Sequence, residues 1–178
     1  MALTISLTGC AVVPEPDVAH PPYAVALDKV RLDPVAATAK LNAYRAEKGL
    51  NPLRLDPALT AMAERQARAM AASGTMSHDV AGDFSSRLAA SGITSTAGEN
   101  LGEGYMSFDE AFSGWRSSAG HDANLLMPDA TRFGIALAKN PNAGYGAYWS
   151  MVVADEQRTA PPAAAGFAPF PVPVTEPR

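Results

Sequence analysis

Residues 133–154 read FGIALAKNPNAGYGAYWSMVVA, and they contain two apolar runs joined by residues that favour turns. The first run covers residues 133–138 and the second covers residues 148–154. Asparagine, proline and glycine lie between the runs, and these residues adopt the backbone conformations that short connections need. The stretch therefore predicts two antiparallel strands, and a third strand is expected around Asn100 to Gly104.

Two long helices are predicted upstream, and both begin with the same pair of residues. Asp33-Pro34 and Asp56-Pro57 each place an N-cap carboxylate before a proline at the first helical position. Gly49 and Gly74 follow the two helical runs, and glycine at this position commonly ends a helix. Apolar residues recur at helical spacing between these signals.

Two shorter helices are predicted between the long helices and the strands. The third helix covers residues from Asp83 to Gly92. Ser107 and Glu110 have the spacing of a capping box, so a fourth helix is expected from there to about Ser118. Helices followed by antiparallel strands indicate an α+β fold.

Composition excludes several classes of protein. The chain has 178 residues, of which 47% are hydrophobic, and this suffices for one core of ordinary domain size. Fourteen Lys and Arg residues against 18 Asp and Glu residues give a net charge of −4, without a basic cluster. Nucleic acid is therefore not an expected partner. A single cysteine excludes an internal disulfide framework.

The two ends of the chain are rich in proline and lack a regular period. Residues 1–10, MALTISLTGC, resemble a truncated lipoprotein signal in which Cys10 becomes the acylated first residue of the mature protein. In the alternative interpretation, Cys10 is an ordinary thiol. Residues 11–31 are predicted to be a proline-rich extended linker and residues 156–178 a disordered Pro/Ala-rich tail. Residues 32–155 remain for the folded domain.

Three polar segments are poorly explained by packing: MSHD around His78, GENL around Glu99 and SSAGHD around His121. Two imidazoles and a carboxylate are a ligand set that zinc accepts with water in the fourth position. Alternatively, Glu99 orients one histidine as a base and Ser118 serves as a nucleophile. Each histidine also has a simpler interpretation as a hydrogen-bonded structural residue.

Residues 36–154 resemble the CAP superfamily, which includes cysteine-rich secretory proteins, antigen 5 and plant pathogenesis-related proteins. The similarity is to the short bacterial members called SCP-domain proteins. It rests on the order and spacing of LNAYRAEKGLNPLRLDPALTAMAERQARAM, MSHD, GENL, WRSSAGHDANLL, RFGIALA and YWSMVVA. The resemblance implies a three-layer α-β-α sandwich with a small antiparallel sheet and a polar cleft across one face.

The resemblance also implies a set of cleft residues. In family members with the full cleft, two histidines and two acidic residues face one another. His78 matches the first histidine, Glu99 matches the acid of the GEN motif and His121 matches the second histidine. The second acid usually lies three residues after the tryptophan of the fourth helix, and here Ser118 occupies that position.

This departure weakens the case for metal binding or acid–base chemistry in the cleft. Glu110 is better explained by its capping box, and Glu103 is the remaining candidate for a second acid. The aromatic residues of the fourth helix and last strand are expected in the core rather than in a ligand platform; they are Phe108, Phe112, Trp115 and Trp149.

Three functions remain open at this stage. The first is an exported, lipid-anchored binding module that presents its cleft to a lipid-like or cell-envelope ligand, as implied by lipid and sterol binding elsewhere in the superfamily. The second is a metal-dependent, peptidase-like hydrolase with zinc on His78 and His121. The third is a structural envelope protein, since an imidazole–carboxylate network rigidifies a fold without any ligand. The expected location is the cell envelope, either membrane-anchored, periplasmic or extracellular.

Overall fold

The structure, a computed structural model, describes residues 26–156. The predicted lipid-modification site at Cys10, the linker as far as residue 25 and the tail from residue 157 lie outside the described residues. Within the described part of the chain, no helix is both long and apolar enough to span a membrane.

Residues 26–29 are helical and precede nine further elements between residues 34 and 155. In chain order these are α1 (Pro34–Glu47), β1 (Arg54–Leu55), α2 (Pro57–Ser73), α3 (Phe84–Ala90), β2 (Ala97–Glu103), α4 (Phe108–Ser117), α5 (Ala119–Leu125), β3 (Ala130–Lys139) and β4 (Ala147–Asp155).

The predicted helix starts are confirmed by their capping contacts. The Asp33 carboxylate accepts hydrogen bonds from two N–H groups in the first turn of α1, at 2.9 and 3.1 Å. Asp56 caps α2 in the same way, at 2.9 and 3.0 Å. Gly74 ends α2 in the left-handed conformation, with φ of 67°. Ser107 accepts from the N–H of Glu110 at 3.2 Å at the start of α4.

The four strands form one sheet in the order β1-β3-β4-β2. The predicted hairpin is β3 and β4, and the predicted third strand is β2, which pairs antiparallel with β4 along an outer edge of the sheet. The sheet is not wholly antiparallel, because β1 pairs parallel to β3 at Arg132 and Phe133. A two-residue strand is too short to show an alternating pattern in the sequence.

Helices cover both faces of the sheet, which gives the expected α-β-α sandwich. Trp149, Met151 and Val153 on β4 pack in one cluster with residues of α1, α4 and α5. Val152 and Ala154 on the same strand point to the opposite face and pack with α2. Successive residues of a strand alternate between faces, so one strand contributes to both layers. The predicted core aromatics lie in or against the first cluster.

The folded unit begins earlier than the sequence indicates. Leu27 and Val30 fall in the predicted linker of residues 11–31, yet they are 2% and 3% exposed and belong to the core. The Lys139 ammonium group donates to the backbone carbonyls of Leu27, Asp28 and Val30 at 3.1, 3.4 and 3.3 Å. Residues 26–31 are therefore part of the domain and not of an extended tether.

Helix α2 lies directly on strand β3 at Gly134. A Cβ atom at this position would overlap the backbone of Leu59 and Thr60. The neighbour is main chain and not a flexible side chain, so the helix has to move away to admit even one methyl group. Gly134 thus sets the spacing between this helix and the sheet.

We expect Gly134→Ala to destabilise the domain by about 1 to 3 kcal/mol, which is typical of overpacking, and to lower its melting temperature by several degrees. Gly120→Ala is the matched control, because a Cβ at Gly120 meets nothing within 4 Å. Thermal unfolding followed by circular dichroism measures both. Equal melting temperatures for the two variants would contradict the close helix–sheet contact.

Candidate functional site

A histidine and a glutamate meet at the edge strand β2. Glu99 lies in the middle of β2, and its side chain is 2% exposed. His78 lies in the loop after α2, and its side chain is 54% exposed. His78 Nδ1 and Glu99 Oε2 are 2.9 Å apart, which is hydrogen-bonding distance. Because the imidazole bonds through Nδ1, its Nε2 atom is left for contacts elsewhere.

An arginine that the sequence did not single out holds the same carboxylate. Arg87 on α3 binds Glu99 through two parallel hydrogen bonds of 2.8 and 2.9 Å, and its side chain is 6% exposed. The guanidinium also donates to the carbonyls of Gly82 and His78, each at 2.8 Å. A signal was present in the sequence, since Arg87 lies three positions after Phe84 and so on the apolar face of its helix.

The arrangement neutralises the buried carboxylate. Both Glu99 oxygens are engaged, one by Arg87 alone and the other by Arg87 and His78 together. A bidentate, charge-assisted pair of this kind is strong, and it offsets part of the cost of removing water from each ion. The local charge is therefore close to zero when the histidines are neutral.

The second histidine approaches from α5. Burial lowers the pKa of the His121 imidazole, and electrostatic repulsion from His78 lowers it further. The His121 carbonyl accepts a hydrogen bond of 3.0 Å from the Asn100 amide on β2. Asn124, one turn later in α5, donates to the Glu99 carbonyl at 3.2 Å and to the Asn100 side chain at 2.9 Å. Helix α5 is thus tied to the strand that carries Glu99.

An open cleft of about 520 Å³ lies between these groups. Its lining contains three of the sequence-predicted site residues together with five others: His78, Phe84, Ala97, Gly98, Glu99, Gly120, His121 and Asn124. The structure therefore brings the two histidines and the glutamate to one concave surface. Their role in binding stays a prediction.

Ser118 and Glu103 do not line this cleft. Ser118 is the residue between α4 and α5, and its carbonyl accepts the Asp122 N–H at 2.8 Å. Glu103 lies at the far end of β2, four residues from Glu99, where burial raises the pKa of its carboxyl group. Asp122 bonds to the Tyr44 hydroxyl at 2.8 Å.

A zinc ion does not fit the residues present. Within residues 26–156, no group of three or more His, Cys, Asp or Glu side chains is placed to hold a metal. The carboxylate expected to join His78 and His121 as a ligand already bonds to a guanidinium through both oxygens. Two imidazoles then remain as donors, which is one fewer than the three protein ligands of a catalytic zinc site.

The sequence profile of the cysteine-rich secretory protein family, CAP, matches residues 38–153. The chain belongs to the CAP family. Among curated proteins, it is 30% identical over 113 residues to the Uncharacterized protein YkwD of Bacillus subtilis. That match covers 62% of this chain and 42% of YkwD, so the chain spans less than half of this relative's length.

Solved structures of CAP relatives share the fold. An extracellular protein of Bacillus anthracis with an SCP domain is 21% identical, with a TM-score of 0.59 over 71% of this chain and 45% of that one. A cysteine-rich secretory protein of Staphylococcus aureus is 20% identical, with a TM-score of 0.57 over 68% and 38%. An outer surface protein of Borrelia burgdorferi is 17% identical, with a TM-score of 0.60 over 71% and 97%.

Removing Arg87 from the CAP cleft should leave the buried Glu99 carboxylate without a counter-ion. We expect Arg87→Met to lower the free energy of unfolding by about 3 to 5 kcal/mol, because Glu99 stays buried without its partner. Adding Glu99→Gln should recover part of the loss, and the double-mutant cycle gives the coupling. Urea unfolding measures all four proteins.

The control for this cycle is Arg68→Met, which breaks an exposed ion pair with Glu64 of 3.0 Å. Such pairs contribute less than about 1 kcal/mol, so this variant should remain close to the wild type. Equal losses for the Arg68 and Arg87 variants would contradict the assignment of Arg87 as the counter-ion of the cleft.

The lowered pKa of His121 predicts a pH dependence of stability. The unfolded chain takes up a proton near the ordinary value of 6.5, whereas the folded domain resists protonation of His121. The free energy of unfolding should therefore fall as pH decreases from about 7 to about 5. His121→Gln should make this fall smaller in urea titrations at each pH, and an unchanged slope would contradict the assignment.

Proposed function

We propose that this CAP-domain chain is an exported binding module whose cleft takes a polar group of a cell-envelope ligand between His78 and His121. The observation that carries the proposal is the engagement of both Glu99 oxygens by Arg87 and His78. Glu99 is engaged by these structural contacts. The imidazoles of His78 and His121 therefore remain to contact a ligand in the described part of the cleft.

The proposal of export rests on the relatives and on the first residues of the chain. One similar structure is described as extracellular and another as an outer surface protein. The segment Leu7 to Cys10 supplies the proposed site for a lipid anchor, and several acyl chains would hold the protein stably at a membrane. The proposed location is accordingly the outer side of a bacterial membrane.

The cleft chemistry favours a ligand with both polar and apolar parts. A neutral His78 uses its donor on Glu99 and offers Nε2 as an acceptor, whereas a neutral His121 offers one donor and one acceptor. The pair therefore suits a hydroxyl or amide group, and His121 can also donate to a phosphate oxygen. Phe84 and Ala97 add apolar surface to the same lining. Both a phospholipid headgroup and a cell-wall glycan with amide groups meet this description, and the test below separates them.

A hydrolase is the second candidate, and one observation favours it. The Glu99 carboxylate fixes His78 through Nδ1, which leaves Nε2 oriented as a potential general base. A Ser118 nucleophile is not supported, because this residue does not line the cleft. The base would have to activate water, and among residues 26–156 the cleft lining contains no second acid to assist the leaving group.

The test is a titration of the full chain with soluble peptidoglycan fragments and, separately, with phosphatidylglycerol vesicles. We expect one probe to shift the imidazole resonances of His78 and His121 in nuclear magnetic resonance spectra. His121→Ala should weaken that binding by about tenfold or more, a loss of about 1.4 kcal/mol. Lys40→Ala, an exposed change on α1, is the control and should bind normally.

The outcomes distinguish the three functions. Binding that depends on His121 supports the binding module. Cleavage of a fragment, lost in His78→Ala, would favour the hydrolase instead. No response to either probe, together with strong destabilisation by His121→Ala, would contradict both and leave the cleft as a structural network.

A further inference from the structure

The candidate cleft has no permanent cation to offer a ligand. Its lining contains neither lysine nor arginine in the part of the chain that the structure describes. The guanidinium of Arg87 already donates through all three of its nitrogen atoms, to two backbone carbonyls and to the Glu99 carboxylate. A phosphate that entered the cleft would therefore lose water without gaining a charged donor in its place.

The cleft instead offers hydrogen-bond acceptors. His78 bonds to the Glu99 carboxylate through Nδ1, so a neutral imidazole presents Nε2 as an acceptor. The Asn124 amide nitrogen donates to the Glu99 carbonyl and to the Asn100 side chain. Within residues 26–156, no group donates to the Asn124 Oδ1 atom. These two acceptors suit ligand hydroxyl and amide N–H groups, whereas phosphate oxygens are acceptors themselves.

A glycine allows the Asn124 acceptor to lie against strand β2. A Cβ atom at Gly98 would overlap the Asn124 side-chain amide, including its Oδ1 and Cγ atoms. The two hydrogen bonds donated by Asn124 Nδ2 fix the orientation of the amide. Its Oδ1 atom is therefore placed before any ligand arrives, and a preorganised group costs less entropy on binding.

Phe84 adds an aromatic ring to the same lining. The Arg87 Cζ atom lies 5.3 Å from the centre of this ring, which is a cation–π distance. Because Arg87 is itself held by its hydrogen bonds, the Phe84 ring is also fixed in advance. The C–H groups on the apolar face of a sugar ring carry partial positive charge, and they pack favourably on the negative face of an aromatic ring.

We propose that the ligand of this cleft is an uncharged saccharide, whose apolar ring face packs on Phe84 while its hydroxyl or amide N–H groups donate to His78 and Asn124. This inference rests on the proposed binding function and narrows its two ligand classes to one. A phosphatidylglycerol headgroup also has hydroxyl groups, but it lacks a sugar ring and brings a phosphate. The cleft volume of about 520 Å³ lies within the usual range of small-molecule sites, about 300 to 1,000 Å³.

The test is a titration of the full chain with the β-1,4-linked tetramer of N-acetylglucosamine, followed by nuclear magnetic resonance. We expect nuclear Overhauser contacts between the sugar C–H protons and the Phe84 ring. Phe84→Leu keeps apolar volume but loses the flat ring, so it should weaken binding by about fivefold or more. Phe84→Tyr retains the ring and should bind the tetramer like the wild type.

Leu88→Val is the matched control for damage to the fold. Leu88 packs against the same hydrophobic cluster as Phe84 but does not line the cleft, so this variant should bind the tetramer normally. Thermal unfolding of each variant shows that the protein titrated is folded. The wild-type affinity should also be the same in about 0.1 M and about 1 M salt, because an uncharged ligand has no charge to screen.

The outcomes separate this inference from the binding function on which it rests. Equal affinity of the wild type and Phe84→Leu for the tetramer would overturn the saccharide assignment and leave the binding function standing. Binding of phosphatidylglycerol vesicles alone, lost in His121→Ala, would have the same meaning. An affinity for the tetramer that falls steeply with salt would also overturn the assignment. Absence of binding to both probes would contradict the inference and the binding function together.

Discussion

Within residues 26–156, three buried guanidinium groups hold together segments that are far apart in the chain. Arg45 of α1, which is fully buried, donates to the carbonyls of Leu125 and Met127 at 2.8 and 3.1 Å. Arg132 of β3 bonds to the Asp56 carboxylate at 3.2 Å and to the Asp155 carbonyl at 2.9 Å. Arg87 of α3 connects its helix to the loop at His78 and to strand β2 in the same way.

A buried guanidinium has five N–H donors and no way to lose its charge, so each donor needs an acceptor fixed nearby. This requirement constrains loops that a chain with one cysteine has no disulfide to close. One of the three guanidinium groups, that of Arg87, lies beside the candidate cleft and holds its carboxylate in place.

The elements predicted best are those whose first residues form a capping motif that is recognisable in the sequence. Asp33 and Asp56 mark α1 and α2 because a carboxylate before proline satisfies first-turn N–H groups whatever surrounds the helix. Helix α5 has no such mark, since the Ser118 side chain does not cap it. Strand β1 exists only because β3 offers a partner, and a tertiary contact of this kind leaves no period in the sequence.

The candidate site likewise contains residues that the sequence predicted and one residue whose role only the tertiary structure shows. His78, Glu99 and His121 were found by their polar character beside small residues and by the family resemblance, and they line one cleft. Arg87 was not singled out, because an arginine in a short helix is most often solvent-exposed. Its position decides the chemistry, since a guanidinium in contact with both oxygens of Glu99 changes a potential metal ligand into half of an ion pair.

The outer edge of strand β2 is closed by side chains. The Trp115 indole donates to the Leu101 carbonyl at 2.7 Å, and Asn124 donates to the Glu99 carbonyl at 3.2 Å. These two contacts occupy acceptors on β2 that a neighbouring molecule would otherwise use to continue the sheet. Along β2, these contacts therefore oppose the strand-by-strand stacking that leads to fibres.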